Sequence, residues 1–385
     1  MQNRFKYYFI NLSTIIIFFI LNQQATNAED LNKCEWNNKK TIPCIEIAKT
    51  PNTSAYSNIG VNKIVLSRKD IDNYNAKDLT TLLELIPGFS VYQDGPTGQK
   101  TSIFTRGSES NHTLVLLNGI AINDQSTTDG LYDFGQDFIH TVQQIEIYKG
   151  PSGAHFGPSA IAGAINIITD IDYKNNIVVN GFDNNNNSIS GNYTIITASD
   201  WHLNAKASTL ESKTNSAKAA GVEDDGVKNY QANLNIKKWV NDDLKFKSTL
   251  YSRKTKADYD NSDVKEVGYN SDNKMYSLQT GFEYFSDKTK NELIFHYHNY
   301  DRDYEDGGFL DEYESESFVT KLESKTKFSN IISFGLGSEY KYDWGVFENR
   351  GSYNQSTKGH MKDMAIFANT GLKFSENSIL SLYGR

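Results

Sequence analysis

Three charged residues lie inside short apolar segments, where a charge needs a partner. Arg106 lies in the segment Ile103–Gly107, and Glu146 and Lys149 lie in the segment Ile145–Pro151. Removing an ion from water is costly unless an opposite charge and hydrogen bonds replace the lost hydration. We therefore predict a charge network that pairs Arg106 with Glu146. Such a network either gates a movable domain or only holds the fold together.

Two other groups of residues could bind metal ions, but neither has a complete ligand set. His296 and His298 share the polar side of an alternating segment. A zinc site needs a further ligand, so this pair is more typical of a polar surface in contact with water. The acidic run from Asp301 to Glu312 resembles an EF-hand loop, yet Asp306 stands where that loop requires glycine. We expect no metal site at either place.

Motifs for enzymatic catalysis are absent from the sequence. The chain has no G-x-S-x-G nucleophile motif and no phosphate-binding P-loop. Its formal net charge of −8 also argues against a surface for nucleic acid. The sequence therefore predicts neither an enzyme nor a nucleic-acid-binding protein.

The segment 61–170 has the pattern of a small mixed α/β domain. Val61–Leu66 is predicted as a strand, and Asp70–Ile71 as the start of a turn. Asp78–Ile86 is predicted as an amphipathic helix that Pro87–Gly88 ends. Asn118–Gly119 predicts the turn of a hairpin. The apolar face of the helix is formed by Leu79, Leu82, Leu83 and Ile86.

From Asn175 onward the hydrophobic period changes to two, which is typical of strands with one apolar face. Only 38% of the chain is apolar, yet it contains 23 Tyr and 21 Phe. Past the N-terminus no run of about 20 apolar residues could form a membrane helix. Strands of about ten residues that alternate apolar and polar side chains are the pattern of membrane β-barrels. We predict about eleven such strands between Ile177 and Arg385. The apolar series include Tyr276, Leu278, Phe282, Tyr284, Leu293, Phe295, Tyr297, Phe334, Leu336, Tyr340, Met364, Ile366 and Phe374.

Residues 1–28 have the features of a signal peptide for export. Arg4 and Lys6 precede an apolar core, and Thr26-Asn27-Ala28 forms a small-residue cleavage site. A membrane anchor fits less well because the apolar core is short. Export would allow Cys34 and Cys44 to form a disulfide, and a lipid anchor on Cys34 is the alternative.

Four motifs in this order resemble the plug domain of TonB-dependent outer-membrane transporters, and the stretch from Asp70 to Asp170 is most similar to the cobalamin (vitamin B12) subfamily. The resemblance implies an N-terminal α/β plug at 61–170 inside a membrane β-barrel of about twenty-two antiparallel strands. The region 171–385 would then be the first half of that barrel, and we expect the sequence to be part of a longer protein. Assembly of several chains to close the barrel is the alternative. The motifs are Ile103–Gly107, Leu114–Gly119, Ile145–Pro151 and Gly163–Thr169.

The same resemblance implies location in the outer membrane of a Gram-negative bacterium and contact with its lipid. It places a TonB box in the flexible periplasmic segment 29–60, where an ordinary linker strand is the alternative. TonB, working with ExbB and ExbD, would pair with this strand edge to edge. The box is formed by Ile45, Glu46, Ile47, Ala48 and Lys49.

Two plug loops, 94–102 and 123–129, are expected by resemblance to face outward and contact the ligand. Their polar side chains could bind the amide rim of a corrin, or they could be solvated loop tips. The expected contact residues are Asp94, Lys100, Thr101, Ser102, Thr127 and Thr128.

Calcium is the one ion that the resemblance implies, although no cofactor is required. Calcium takes about six to eight oxygen ligands, which carboxylates from two adjacent loops could supply. Solvated acidic loops are the alternative. The candidate ligands are Glu223, Asp225, Asp258, Asp260 and Asp272.

Together these features predict an importer of cobalamin or a similar large, scarce nutrient. A ferric-siderophore or haem receptor is the alternative within the same family. A secreted, soluble β-rich binding protein or adhesin is the alternative from a different class.

Overall fold

The computed structural model describes residues 62–127, 129–170, 175–182, 186–197, 199–215, 224–259, 269–306, 308–329, 331–351, 354–375 and 378–385. They form a small α/β domain, called the plug below (62–170), and a large antiparallel sheet, called the wall (176–384). The plug contains β1 (Asn62–Ser67), α1 (Arg68–Tyr74), α2 (Leu79–Glu84), β2 (Phe89–Gln93), β3 (Thr101–Thr105), β4 (Thr113–Leu117), β5 (Ile120–Ala121), β6 (Gln144–Lys149), α3 (Gly153–Phe156) and β7 (Gly163–Ile168).

The plug is built on a five-stranded sheet in the order β1-β6-β7-β4-β5, with β2 and β3 as a separate hairpin. Asp78 caps α2 by accepting a hydrogen bond from the backbone N–H of Thr81 at 2.7 Å. Three leucines of α2 are fully buried, as the sequence predicts, and they pack with Ile145, Ile147 and Ile165 of the sheet. The leucines are Leu79, Leu82 and Leu83.

One local prediction is wrong, and another is confirmed. Asp70–Ile71 does not start a turn but lies in α1, because Ser67 and Asp70 form a reciprocal capping box that begins a helix. At the predicted hairpin, Asn118 and Gly119 both have positive φ, 49° and 85°. This is the backbone of a tight two-residue turn, which Asn-Gly favours.

The wall is an eleven-stranded meander in which each strand pairs with the next along the chain. The number of described strands agrees with the prediction of about eleven. Its strands are β8 (Asn176–Phe182), β9 (Asn186–Ile196), β10 (Trp201–Asn215), β11 (Asp224–Trp239), β12 (Leu244–Asp258), β13 (Asn270–Phe285), β14 (Thr289–Asp306), β15 (Phe309–Lys327), β16 (Ile332–Arg350), β17 (Gln355–Ser375) and β18 (Ser378–Gly384).

The face of the wall that points away from the plug, called the outer face below, is apolar and exposed. Alternation along the strands puts the predicted apolar series here. Leu278 is 40% exposed and Ile366 is 73% exposed. Large hydrophobic residues of the outer face include Leu250, Phe282, Phe295, Phe318, Leu322, Phe334 and Leu336.

The face that points toward the plug, called the inner face below, is polar but buried. Asn, Gln, Ser, His and charged residues alternate with the apolar series, and the plug covers many of them. Smaller apolar contacts also join the two parts, such as Ile120 of the plug with Ile294 and Val319 of the wall. Within the described ranges, no helix is both long and apolar enough to cross a bilayer.

Candidate functional site

The end of the plug is attached to the wall by a cluster of hydrogen bonds around Thr169. Asn233 donates to the Thr169 hydroxyl at 3.0 Å, and Asn235 donates to its carbonyl at 2.9 Å. The Lys206 ammonium donates to the same carbonyl, and Lys237 donates to the carbonyl of Asp170 at 2.6 Å. Thr169 has no exposed surface, so these bonds satisfy buried backbone groups.

Two ion pairs connect plug loops to arginines of the inner face. Arg302 of β14 lies 2.7 Å from Asp124, whose second oxygen accepts a hydrogen bond from Ser315 at 2.8 Å. Arg253 of β12 pairs with Asp137 of the plug. All of these groups are almost fully buried, so each charge depends on its partner.

Further hydrogen bonds are distributed around the interface. Gln231 donates to the Phe138 carbonyl at 2.7 Å and accepts from the Thr141 hydroxyl at 3.1 Å. Tyr300 donates to the Ile122 carbonyl at 2.7 Å. These hydrogen bonds add to the buried ion pairs and to the apolar clusters that also join the two parts.

The predicted pairing of Arg106 with Glu146 is wrong. Glu146 is buried and pairs with Lys63 of β1 at 2.9 Å, since β1 and β6 are neighbours in the plug sheet. Arg106 is exposed at a turn with positive φ, and no described carboxylate lies within ion-pair distance of it. Lys149 instead donates to the Pro87 carbonyl at 2.6 Å. Burial lowers the pKa of Lys149, and the positive charge of Arg106 lowers it further.

The predicted ligand-contact residues have different environments. Asp94 and Lys100 are exposed at the tip of the β2–β3 hairpin, and Ser102 is half-buried within β3. Thr101 is 1% exposed and donates to the Gln99 carbonyl at 2.9 Å, so it cannot contact a ligand from outside. The Thr127 hydroxyl is used within its own loop, where it bonds Asp124 and Leu131. Thr128 lies outside the described residues.

The described members of the calcium set do not converge on one point, which contradicts the prediction for them. Asp225 lies on the inner face, whereas Asp258 and Asp272 lie on the outer face of β12 and β13. Asp272 pairs with Lys254 at 3.1 Å and Lys256 at 3.2 Å. No group of three potential metal ligands occurs in the described part of the chain. Glu223 and Asp260 lie outside it.

His296 and His298 are both buried on the inner face, with ring nitrogens 3.1 Å apart. They form a hydrogen-bonded pair, as two histidines can without any metal ion. The remaining predictions, the signal peptide, the Cys34–Cys44 disulfide and the TonB box at 45–49, lie outside the described residues.

Two partly buried histidines of the plug have lowered pKa values. Burial lowers the pKa of His140 to about 4, assisted by the positive charges of Arg68 and Lys77. Burial also lowers the pKa of His155 to about 4, assisted by Lys321 and Lys325 of the wall. Both side chains are therefore neutral at pH 7.

Sequence reasoning missed the residues that connect the plug to the wall. Arg253 and Arg302 could have been found, because each stands on the inward side of an alternating strand with an uncharged residue on either side along that face. Asp124 and Asp137 lie in irregular plug loops without any periodic pattern. Their partners are determined by how two distant parts of the chain pack.

Comparison with known proteins shows what this arrangement is similar to. Residues 45–164 match the family model of the TonB-dependent Receptor Plug Domain. Most of the plug thus matches that family model, and plug and wall together have the fold of TonB-dependent barrel receptors.

Solved structures of individual receptors share this fold at low sequence identity. The ferric yersiniabactin uptake receptor FyuA of Yersinia pestis is 14% identical with a TM-score of 0.60, over 85% of this chain and 64% of that one. FpvA of P. aeruginosa, bound to a pyoverdine–iron complex, is 11% identical with a TM-score of 0.70, over 87% and 54%. The copper transporter OprC is 15% identical with a TM-score of 0.69, over 83% and 53%. The chain thus spans less than two thirds of each of these structures.

Proposed function

We propose that this protein imports a large, scarce nutrient across the outer membrane of a Gram-negative bacterium, and that it is not an enzyme. The observation that supports this best is the distribution of polar and apolar side chains in the wall, which is the reverse of that in a soluble protein. Its outer face exposes large hydrophobic side chains, while its inner face is polar and filled by the plug. Exposing so much apolar area to water is unfavourable, at about 25 cal/mol per Å², whereas lipid removes that cost.

Import would begin with binding of the ligand at the outer ends of the plug loops. TonB would then bind the box at 45–49 and pull, with energy supplied by ExbB, ExbD and the proton gradient. The polar contacts around Thr169, Asp124 and Asp137 could exchange for water during this movement. Local opening below the free energy of global unfolding would free a path through the plug. Export of the protein by the signal peptide at 1–28 is part of the same proposal.

Cobalamin and ferric siderophores are the two candidate ligand classes. The resemblance of the plug motifs favours cobalamin. The names of structural neighbours favour a ferric chelate, because FyuA is a receptor for ferric yersiniabactin and FpvA binds ferric pyoverdines.

Uptake by whole cells tests the proposal. Cells that produce the full-length protein as their only candidate receptor would be given labelled cyanocobalamin or ⁵⁵Fe-labelled siderophores, with and without functional TonB. We expect uptake of one ligand class that is lost without TonB. Equal uptake with and without TonB would refute energised import.

The alternative of a secreted, soluble binding protein predicts a different location. It would be recovered from the medium or the periplasmic wash without detergent. We expect instead that the full-length protein stays in the membrane fraction until detergent extracts it, because the outer face would otherwise be exposed to water.

A further inference from the structure

His296 and His298, called the histidine pair below, lie in the middle of β14 on the inner face. Each residue is 1% exposed, and the His296 Nε2 and His298 Nδ1 atoms are 3.1 Å apart. A hydrogen bond between two imidazole nitrogens needs one nitrogen with a proton and one without. The contact between the rings therefore exists only while one of the two facing nitrogens carries no proton.

Both register partners of His296 on the neighbouring strands contact the plug. Gln279 of β13 donates to the Asn118 carbonyl at 3.4 Å. Val319 of β15 packs with Ile120 in an apolar cluster. The plug chain is thus attached to the wall on either side of His296.

The plug is attached next to His298 as well. Tyr300, two residues further along β14, donates to the Ile122 carbonyl at 2.7 Å. The rings of Tyr300 and His298 lie 5.8 Å apart. Plug residues 118–122, called the covering segment below, therefore run across the histidine pair and bury it.

The charged groups around the histidine pair are paired with one another. Lys341 of β16, whose charge acts on both rings, pairs with Asp343 at 2.8 Å. Arg302 pairs with Asp124 at 2.7 Å. Glu292, on the same face of β14, pairs with lysines of β12 and β14. None of these groups is therefore left to balance a charge on the rings.

The other side chains around the histidine pair are uncharged. The His296 Nδ1 atom has no hydrogen-bond partner among the described residues. A proton that the pair takes up is therefore not matched by an unpaired carboxylate in this described part of the structure. The uncharged neighbours are Ser277, Gln279, Tyr300, Ser317, Val319 and the covering segment.

Proton uptake would weaken this arrangement in two steps. The first proton places an ion beneath the covering segment, where it lacks hydration and lies close to the Lys341 cation. The second proton puts hydrogens on both facing nitrogens, so the hydrogen bond between the rings is lost. Displacing the covering segment would return water to both rings. Proton uptake and displacement of the covering segment therefore favour each other.

We propose that the histidine pair is a proton-sensitive contact that loosens the covering segment from the wall as the pH falls below about 6.5, where hydrated imidazole takes up a proton. The covering segment leads directly into the plug loop that contains Asp124. Acid would therefore weaken the attachment of that loop as well. This inference depends on neither the import function nor the ligand class.

Urea titration of the full-length protein in detergent at pH 7.5 and pH 5 tests the proposal. A nitroxide on Ala121→Cys, at a partly exposed position of the covering segment, would report release of the segment by its mobility in electron paramagnetic resonance spectra. All samples would carry Cys34→Ser, Cys44→Ser, His140→Gln and His155→Gln, which prevent mislabelling and remove the pH dependence of those two plug histidines. We expect the urea midpoint for release to be lower at pH 5 by about 0.5–1 M. Equal midpoints at the two pH values would overturn the proposal.

Further variants separate proton sensing from simple mechanical support. His296→Gln with His298→Gln should remove most of the midpoint shift, because amides take up no proton in this range. Should that double variant fail to fold, His298→Gln alone is the substitute, and it should at least halve the shift. Tyr300→Phe is the matched control, because it removes the bond to Ile122 from the same face without touching the rings. It should lower the midpoint at both pH values and leave the shift intact. A full shift without the histidine pair, or a shift lost in Tyr300→Phe, would refute the assigned role.

Discussion

Asp124 connects a plug loop to two strands of the wall. One oxygen accepts hydrogen bonds from Ser126 and Ser315, while the other pairs with Arg302. A buried carboxylate needs such partners, because the hydrogen bonds and the opposite charge replace the hydration that it loses on burial. The plug loop is thereby fixed in position against β14 and β15.

Removing one member of this pair should be more damaging than removing both. Asp124→Asn or Arg302→Met leaves an uncompensated buried charge, which typically costs about 3–5 kcal/mol. The double variant should lose clearly less than the sum of the single variants. Melting temperatures of the wild type, the two single variants and the double variant, purified in detergent, would provide this double-mutant cycle. The exposed pair Lys228–Glu211, 3.1 Å apart, is the control, and its removal should change little. Strict additivity for Asp124 and Arg302 would contradict the assigned ion pair.

Stability of the plug should fall as the pH falls from about 6.5 toward 4. The pKa of His140 and His155 is about 4 in the fold, below the value near 6.5 expected when unfolded. The unfolded chain therefore binds more protons in this window, which favours unfolding as the pH drops. We expect a loss on the order of 1–2 kcal/mol per histidine at pH 5.

Limited proteolysis of the plug at pH 7.5 and pH 5 would measure this effect. His155→Gln and His140→Gln should each reduce the difference between the two conditions. A wild-type plug that is equally resistant at both values would show that these histidines do not control its stability.

At the scale of elements, the β2–β3 hairpin depends on close approach of backbone to the wall. Gly98 lies in its loop with φ of 94°, and a Cβ there would come within 2.9 Å of the Cβ of Val227. Gly107 also has positive φ, 78°, but a Cβ there would meet nothing within 4 Å. The two glycines therefore separate backbone strain from steric exclusion.

Gly107→Ala should cost about 1–2 kcal/mol from the left-handed backbone alone. Gly98→Ala should cost clearly more, because it also pushes the hairpin away from β11. Hydrogen exchange of residues 94–100 would detect this displacement. Equal effects of the two substitutions would show that the hairpin does not pack closely against the wall.

A lipid-facing outer face predicts how much an introduced charge destabilises the wall at each position along a strand. Leu278 lies in the middle of β13 on the outer face, and Asn270 begins the same strand. Leu278→Arg should cost about 2–4 kcal/mol at the middle of a bilayer, while Asn270→Arg should cost about 1 kcal/mol or less near its edge. The amount of heat-resistant folded protein in membrane fractions measures both. Equal amounts for the two variants would contradict a lipid-facing wall.

Strands and their faces were predictable from sequence because a period of two directly reports which side chains share an environment. The series through Tyr276, Leu278 and Phe282 is confirmed on the outer face. The predicted helix is also confirmed, at Leu79–Glu84, because its cap and its apolar face are local features of the sequence. Local sequence does not encode which strands are adjacent. The pairing of Glu146 with Lys63 instead of Arg106 depends on β1 lying beside β6, which are about 80 residues apart in sequence.

For the whole molecule, different kinds of contact hold the wall together and attach the plug to it. The wall is held by continuous backbone pairing between consecutive strands, whereas plug and wall share mostly side-chain contacts. Side-chain contacts can be exchanged for water one at a time, but a strand ladder opens only as a unit. A pulling force should therefore move the plug and leave the wall intact.

A covalent bond between plug and wall should block this movement without disturbing binding. Asp124 and Ser315 touch at 2.8 Å through short side chains, so Asp124→Cys with Ser315→Cys places two thiols close together. The substitutions would be made with Cys34→Ser and Cys44→Ser to prevent mispairing. We expect oxidised protein to bind ligand but not to import it, and a reductant to restore uptake to the level of the single Asp124→Cys variant. That single variant accounts for the lost ion pair with Arg302. Normal uptake by fully oxidised protein would mean that the ligand passes without separating Asp124 from the wall, and transport would then need a route through another part of the plug.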